Sequence, residues 1–154
     1  MDSIDQLLRR EVEARILGPL IEALASEFGH AAVYEVIKNS ISRIAEEQGA
    51  QLVDKFGGKT LSHFSKVLEI WKKGGALEIE FFEQTADKLS FNVTRCRYAE
   101  LYKELGLTPE LGYILSCNRD FALIKGFNQD IRLKRTQTIM EGAPCCDFRF
   151  ESGE

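Results

Sequence analysis

Apolar positions recur at helical spacing through the first half of the chain. From Ile4 to about Phe28, Leu7, Leu8, Ile16, Leu20, Ile21, Leu24 and Phe28 mark an amphipathic helix. Gly18-Pro19 interrupts it, and a break or kink is expected there, because proline removes an amide donor and disfavours helix at the residue before it. A second helix spans about Ala31 to Gln48, with Val33, Val36, Ile37, Ile41 and Ile44 on one face and Gly49 as its stop. A third segment, Leu52 to about Lys73, carries Leu61, Phe64, Val67, Leu68 and Trp71. Gly57-Gly58 splits that segment and Gly74-Gly75 ends it.

At Gly75 the period drops to two. Leu77, Ile79 and Phe81 alternate with glutamates, a polar Thr85–Lys88 turn follows, and Leu89, Phe91 and Val93 alternate with Ser90, Asn92 and Thr94. This is a hairpin pattern. A helix from about Tyr98 to Leu105 stops at Gly106. Another starts at Thr108-Pro109 and runs through Cys117 to about Ile124. A second hairpin is expected from Ile131 to Met140 and from Cys146 to Phe150, around a turn at Glu141–Pro144. The order is helices, then ββααββ. It predicts an α+β fold, with N-terminal helices packed on a four-stranded antiparallel sheet. Residues 1–154 read as a single domain, with a helical half over 1–74 and a ββααββ half over 75–150.

Composition adds limits rather than an identity. Of the 154 residues 44% are hydrophobic and 29% charged, ordinary values for a globular protein with a real core. The net charge of −4 argues against nucleic acid or an anionic membrane as partner. The basic cluster Arg132, Lys134, Arg135 is too short to reverse that. The Met-Asp-Ser-Ile-Asp start lacks signal-peptide character, and no apolar run reaches transmembrane length, so a cytoplasmic location is expected. Thiols there stay reduced, which leaves the four cysteines as core residues, metal ligands or catalytic groups.

Three of them, Cys96 at the end of a strand, Cys117 in the middle of a helix and Cys146 at the start of a strand, could converge on one site. Cys117 and Asp120 share a helical face at i, i+3. They read either as a nucleophile or metal ligand beside an acid–base group, or as a core thiol and a surface carboxylate. Cys146 has the strand parity of Phe148 and Phe150 and is expected to face the core. Cys96 has the parity of Asn92 and Thr94, which reads as a solvated strip or a pocket lining. If the three thiols meet, zinc is the metal that would suit them, although the separations of 21 and 29 residues neither support nor exclude it. Cys145 adjoins the third thiol. Arg135 shares parity with Leu133 and Ile139, so it points inward to an anion or lies on a strand edge in solvent. His30 and His63 read as structural, and a Cys–His pair forms only if the helical half folds over the cysteines.

Five short motifs in order carry a family resemblance. They are Phe91-Asn-Val-Thr-Arg-Cys96-Arg-Tyr-Ala, Leu105-Gly-Leu-Thr-Pro-Glu110-Leu-Gly112, Cys117-Asn-Arg-Asp120, Arg135-Thr136-x-Thr138, and Gly142-Ala-Pro-Cys-Cys146-Asp-Phe148-Arg-Phe. Over about residues 60 to 150 the chain resembles the L-2-amino-thiazoline-4-carboxylic acid hydrolase family. More distantly, its element order is similar to vinyl-reductase-type ligand-binding domains, some of which hold zinc through cysteines. The first resemblance implies hydrolysis of a small cyclic amidine: water adds at C2 of the thiazoline ring and the ring opens by expelling its sulfur. It implies catalytic roles for Cys117, Asp120, Cys96 and Cys146, and substrate binding by Arg135, Thr136 and Asn92. Cys117 is the first choice for nucleophile or metal ligand, Asp120 for general base, and Arg135 for the substrate carboxylate. The alternative is a non-enzymatic small-ligand sensor domain with structural zinc on Cys96, Cys117 and Cys146. A third reading makes the cysteines plain core. The expected partner is a small-molecule substrate, and a symmetric homodimer is the default for any oligomer.

Overall fold

The computed structural model describes residues 4–153. Met1–Ser3, at the start of the stretch read as lacking a signal sequence, lie outside the described residues. Two long antiparallel helices open the chain, α1 (Gln6–Phe28) and α2 (His30–Phe56), joined at Gly29 with φ 98°. Two short helices follow, α3 (Leu61–Phe64) and α4 (Val67–Lys72). Then come strands β1 (Leu77–Gln84) and β2 (Lys88–Cys96), and helices α5 (Arg97–Glu104) and α6 (Pro109–Gly112). A π-helical turn over Tyr113–Cys117 leads into α7 (Arg119–Phe127). The chain ends with β3 (Ile131–Lys134), a 3-10 turn at Ile139–Glu141, and β4 (Cys146–Ser152). The four strands form one antiparallel sheet in the order β1-β2-β4-β3. The fold is α+β, as the hydrophobic periods predict. No helix among the described residues is long and apolar enough to cross a membrane.

Four local expectations need correction. The expected interruption at Gly18-Pro19 does not divide α1, which is assigned as one helix through Pro19. Proline costs an isolated helix about 3 kcal/mol, but the buried stripe Arg10, Ala14, Gly18, Ile21 packs along both sides of it. Gly49 does not end α2, which continues to Phe56 and takes in the residues read as the start of a third helix. A β-carbon on Gly49 would stand 2.0 Å from the Leu123 carbonyl oxygen, and one on Gly126 would stand 1.9 Å from that of Glu46. The two glycines are the contact at which α2 and α7 cross backbone to backbone. Gly57, at φ 73°, is the actual stop.

The helix read as running from Thr108 through Cys117 is broken in register by the π turn, where the Asn118 amide bonds back to the Tyr113 carbonyl at 2.8 Å. The second hairpin is also shorter than expected. After Lys134 the chain leaves the ladder, because Asp147 captures it. The amides of Thr136 and Gln137 donate to Asp147 Oδ1 at 2.8 and 3.0 Å, and the Thr136 hydroxyl donates to Oδ2 at 2.5 Å.

The helices cover one face of the sheet. On it lie Leu89, Phe91, Val93, Cys146, Phe148 and Phe150, in a cluster with Ala45, Leu61, Phe64, Val67, Leu123 and Phe127. A second cluster gathers Ala14, Ile21, Tyr34, Ile41, Tyr98, Tyr102, Leu111 and Leu115 under α1. Leu77 and Cys96 pack against both.

Candidate functional site

Near that junction a cavity of about 470 Å³ opens. Its lining comes from α1, α2, α4, both central strands and α7. Cys96, Cys117, Cys146, Asp120 and Arg135 all reach it. Each arrives by a different local device. Leu77 pairs with Cys96 and Glu78 with Arg95, but Ile79 pairs with Val93, so Thr94 is an extra residue. This β-bulge flips the parity of everything after it. Thr94 and Arg95 are therefore both exposed, and Cys96 turns inward, not onto the outer strip that strict alternation predicts. Its Sγ then accepts the Ala99 amide at 3.4 Å and starts α5.

Cys117 closes the π turn, and Asp120 follows within the first turn of α7. Asn118 fixes that junction by donating to the Lys38 carbonyl (3.3 Å) and to Ser42 (3.0 Å) on α2. Cys146 opens β4, and its Sγ accepts the Ile139 amide at 3.2 Å. Arg135 stands where the chain leaves β3. It donates to Asp120 Oδ2 at 2.5 Å, to the Cys117 carbonyl at 3.1 Å and to the Tyr113 hydroxyl at 3.3 Å. Its guanidinium lies 4.8 Å from the Phe121 ring and 5.2 Å from the Phe148 ring. Only 2% of the Arg135 side chain is exposed, against 19% of Asp120, so the acid is the more open of the pair.

Burial dominates the electrostatics. It pushes the Asp120 carboxyl above the usual carboxylate range, against the lowering pull of Arg135. It also raises all three thiols: Cys96 upward, Cys146 to about 12, and Cys117 well above an ordinary thiol, with Asp120 adding to the last. All three are neutral near pH 7. Among the described residues no group of three or more His, Cys, Asp or Glu is arranged to hold a metal ion, so the expected three-cysteine centre does not form.

Two expected substrate-binding residues lie elsewhere. Asn92 is on the opposite face of the sheet, where it accepts a bond from Arg149 at 3.0 Å. Thr136 is exposed and spends its hydroxyl on Asp147. Cys145 bonds Gln137 outside the cavity, His30 stacks on Tyr34, and His63 bonds Thr60. None of these three lines the cavity.

The cavity also holds residues that spacing did not single out. Arg10 and Arg119 are 5% and 7% exposed and share one carboxylate. Arg10 meets both Glu13 oxygens at 3.0 and 3.1 Å, and Arg119 reaches Oε2 at 3.3 Å. Arg9, Lys55 and Lys73 join them in the lining. A signal for Arg10 was present in the sequence: it is a charge on the apolar stripe of an amphipathic helix, where an unpartnered cation is costly. Arg119 lies inside the Cys117–Asp120 motif itself.

Two solved structures share the fold at low identity. The phenol-responsive sensory domain of the transcription activator PoxR, solved with phenol, aligns with TM-score 0.56 and 8% identity over 90% of this chain and 74% of its own. A trafficking protein particle complex subunit 3 from Naegleria fowleri, covalently bound to palmitic acid, aligns with TM-score 0.55 and 11% identity over 96% of both chains. No curated protein matches by sequence. The family model for L-2-amino-thiazoline-4-carboxylic acid hydrolase matches residues 9–150, and the chain belongs to that family.

Proposed function

We propose that the protein is a hydrolase that opens a small cyclic amidine by adding water at the carbon between its heteroatoms. One observation carries the reading: Asp120 is the single carboxylate among the described lining residues, half-buried and held in place by Arg135. A carboxylate raised toward neutrality is suited to general base and then general acid work. Asp120 takes a proton from water as its oxygen attacks the amidine carbon. The ring nitrogen takes the electron pair of the carbon–nitrogen double bond, and the adduct's hydroxyl proton passes to it; as the carbonyl forms, the ring carbon–sulfur bond breaks and Asp120 returns its proton to the departing sulfur. For the aminothiazoline carboxylate this yields N-carbamoyl-cysteine.

In this scheme Arg135 positions Asp120 and does not clamp substrate, since its donors are already directed at Asp120, Tyr113 and the Cys117 carbonyl. Cys96, Cys117 and Cys146 enter as neutral walls of the chamber. Attack by water and attack by Cys117 would each pass one proton to Asp120, and the Cys117→Ser substitution separates them.

The family membership supports hydrolysis. The fold shared with a phenol-bound sensory domain favours a second reading, a ligand sensor without turnover. Thiol release from 2-amino-thiazoline-4-carboxylate, followed with a disulfide reagent, separates the two. The hydrolase reading expects turnover by the native protein, loss of at least a hundredfold in Asp120→Asn, and a largely active Cys117→Ser. Turnover that survives Asp120→Asn sinks the assignment of the base. Binding without turnover across a panel of cyclic amidines favours the sensor.

A further inference from the structure

The size and the lining of the cavity say more about the ligand than the chemistry of Asp120 does. At about 30 Å³ per water, 470 Å³ corresponds to roughly fifteen water-sized atoms. The aminothiazoline carboxylate has nine heavy atoms. One wall is apolar: Trp71, Leu77, Val93 and Phe148, with the Trp71 and Phe148 rings 6.2 Å apart. The lining is also cationic. Arg10 and Arg119 share Glu13, which leaves one positive charge in excess, and Lys55 stands in the same lining, whereas Lys73 is already paired with Asp5 at 3.3 Å. The acid in the lining, Asp120, is already matched by Arg135. Burial and then the neighbouring Arg10 charge bring Arg119 down to about 10, as expected of a cation short of counter-charge.

We propose that this cavity takes an organic acid with an extended apolar or aromatic body, its carboxylate at the Arg10–Glu13–Arg119 cluster and its body against Trp71 and Phe148. The proposal rests on the site named above but not on turnover there. An incoming carboxylate supplies the missing anion, and forked guanidinium donors suit it.

Calorimetric titration tests it with 4-phenylbutyrate, its neutral amide, and acetate. The acid is expected to bind at least tenfold tighter than the amide and tenfold tighter than acetate. Arg119→Gln is expected to erase the preference for acid over amide. Asp120→Asn is expected to keep it, which separates ligand class from catalysis. Equal binding of acid and amide overturns the cationic cluster, and equal binding of phenylbutyrate and acetate overturns the apolar wall. If Arg119→Gln does not fold, the comparison on native protein still decides.

A separate observation concerns the outside of α1. This helix is apolar on two faces. Opposite its buried stripe, Leu8, Val12, Ile16 and Leu20 are 50, 53, 64 and 51% exposed at i, i+4 spacing. On α2, Val36 and Ile44 are exposed too. They fall level with Leu20 and Val12, in the register set by the Tyr34–Glu22 bond of 2.5 Å. A contiguous apolar ridge on the solvent side of a helix marks a surface that another molecule covers. We infer that a second copy of this chain covers the face, α1 and α2 against their symmetry mates. The i, i+4 ridge can pack into the equivalent groove about a two-fold axis. The footprint of two such helices, roughly 700 Å², approaches the ~800 Å² per partner of a stable interface. The flanking charges Arg15 and Glu11 neutralise each other at 2.7 Å, and the exposed acids Glu22, Glu27, Glu35 and Glu47 do not suit an anionic membrane.

Sedimentation equilibrium at micromolar concentration is expected to give twice the chain mass, and Ile16→Glu or Val12→Lys to give the monomer with unchanged circular dichroism. A monomeric native protein, or a dimer that survives both substitutions, overturns the inference.

Discussion

Asp120 and Arg135 set the pH behaviour of the site, and the signs can be worked out from their surroundings. Burial raises the Asp120 carboxyl and Arg135 lowers it, with burial ahead. As the proposed base it would work when ionised, so the acid limb of the rate profile is expected above the ordinary carboxylate value of about 4. Arg135→Met removes the lowering charge, and the limb should move to still higher pH in kcat/KM measurements. The same substitution leaves a buried carboxylate without its partner, at a cost of about 3–5 kcal/mol in urea unfolding. That cost should shrink as pH falls, because a protonated Asp120 no longer needs the guanidinium. In the native protein the raised carboxyl favours folding most below its unfolded value, and that contribution is lost as pH rises through the folded one. Asp147 acts in the opposite sense. Burial works to raise it, but the Thr136 hydroxyl and the Gln137 and Thr136 amides together hold it below its ordinary value. Its contribution is present above about pH 4 and lost on acidification. The thiols give a simpler readout. Held neutral by burial, Cys96, Cys117 and Cys146 should resist iodoacetamide at pH 7 in the folded protein and react once it is unfolded, as mass spectrometry of the labelled peptides would show. Rapid native labelling of Cys117 would revive it as the nucleophile.

At the scale of elements, the glycine crossing of α2 on α7 governs where the helix that carries Asp120 lies. Gly126→Ala places a β-carbon 1.9 Å from the Glu46 carbonyl oxygen, backbone against backbone, with no side chain to give way. The two helices must separate, so a loss at or above the 1–3 kcal/mol of ordinary overpacking is expected. Gly57→Ala is the control. Its φ is 73° with open space around it, so the cost should stay near 1 kcal/mol. Denaturant unfolding of the pair ranks them. A larger loss for Gly57→Ala would mean that the crossing is softer than it looks. These glycines also show what sequence can and cannot reveal. Alternation of Leu89, Phe91 and Val93 is a local signal, and the strand it predicts is there. Gly49 looks like a helix stop because its reason for being glycine, the Leu123 carbonyl, lies more than seventy residues away. Alternation left Cys96 between a solvated strip and a pocket lining, and it is the bulge at Thr94, which reverses every side chain after it and which nothing local announces, that turns it inward. Arg10, by contrast, was legible: a cation on an apolar stripe marks a partner that the helix alone does not contain.

The whole molecule couples the helical half to the half that carries the thiols, because neither completes a core alone. Ala45, Leu61, Phe64 and Val67 from the first half close over Leu89, Phe91, Phe148 and Phe150 from the second. Ala14, Ile21 and Ile41 do the same for Tyr98, Tyr102 and Leu111. Buried polar bonds cross the same boundary, Arg119 to Glu13 and Asn118 to the Lys38 carbonyl and Ser42. The cavity is bounded by these contacts, with α1 and α4 on one side and β2, β4 and α7 on the other. The chain is therefore expected to unfold as one cooperative unit. Far-ultraviolet circular dichroism and Trp71 fluorescence should give coincident urea transitions, since Trp71 packs against Phe64 from its own half and Phe148 from the other. A fragment of residues 1–74 should lack a cooperative transition, because α2 loses α7 from its glycine face and Phe64 loses Phe127 and Phe150. If the fragment unfolds cooperatively with near-native helix content, the halves are separate folding units and the cavity lies at a junction free to open. If the transitions coincide and the fragment fails, ligand bound in the cavity stabilises the entire fold. Saturating acid should then raise both transitions together by the RT ln(1 + [L]/Kd) that its affinity dictates.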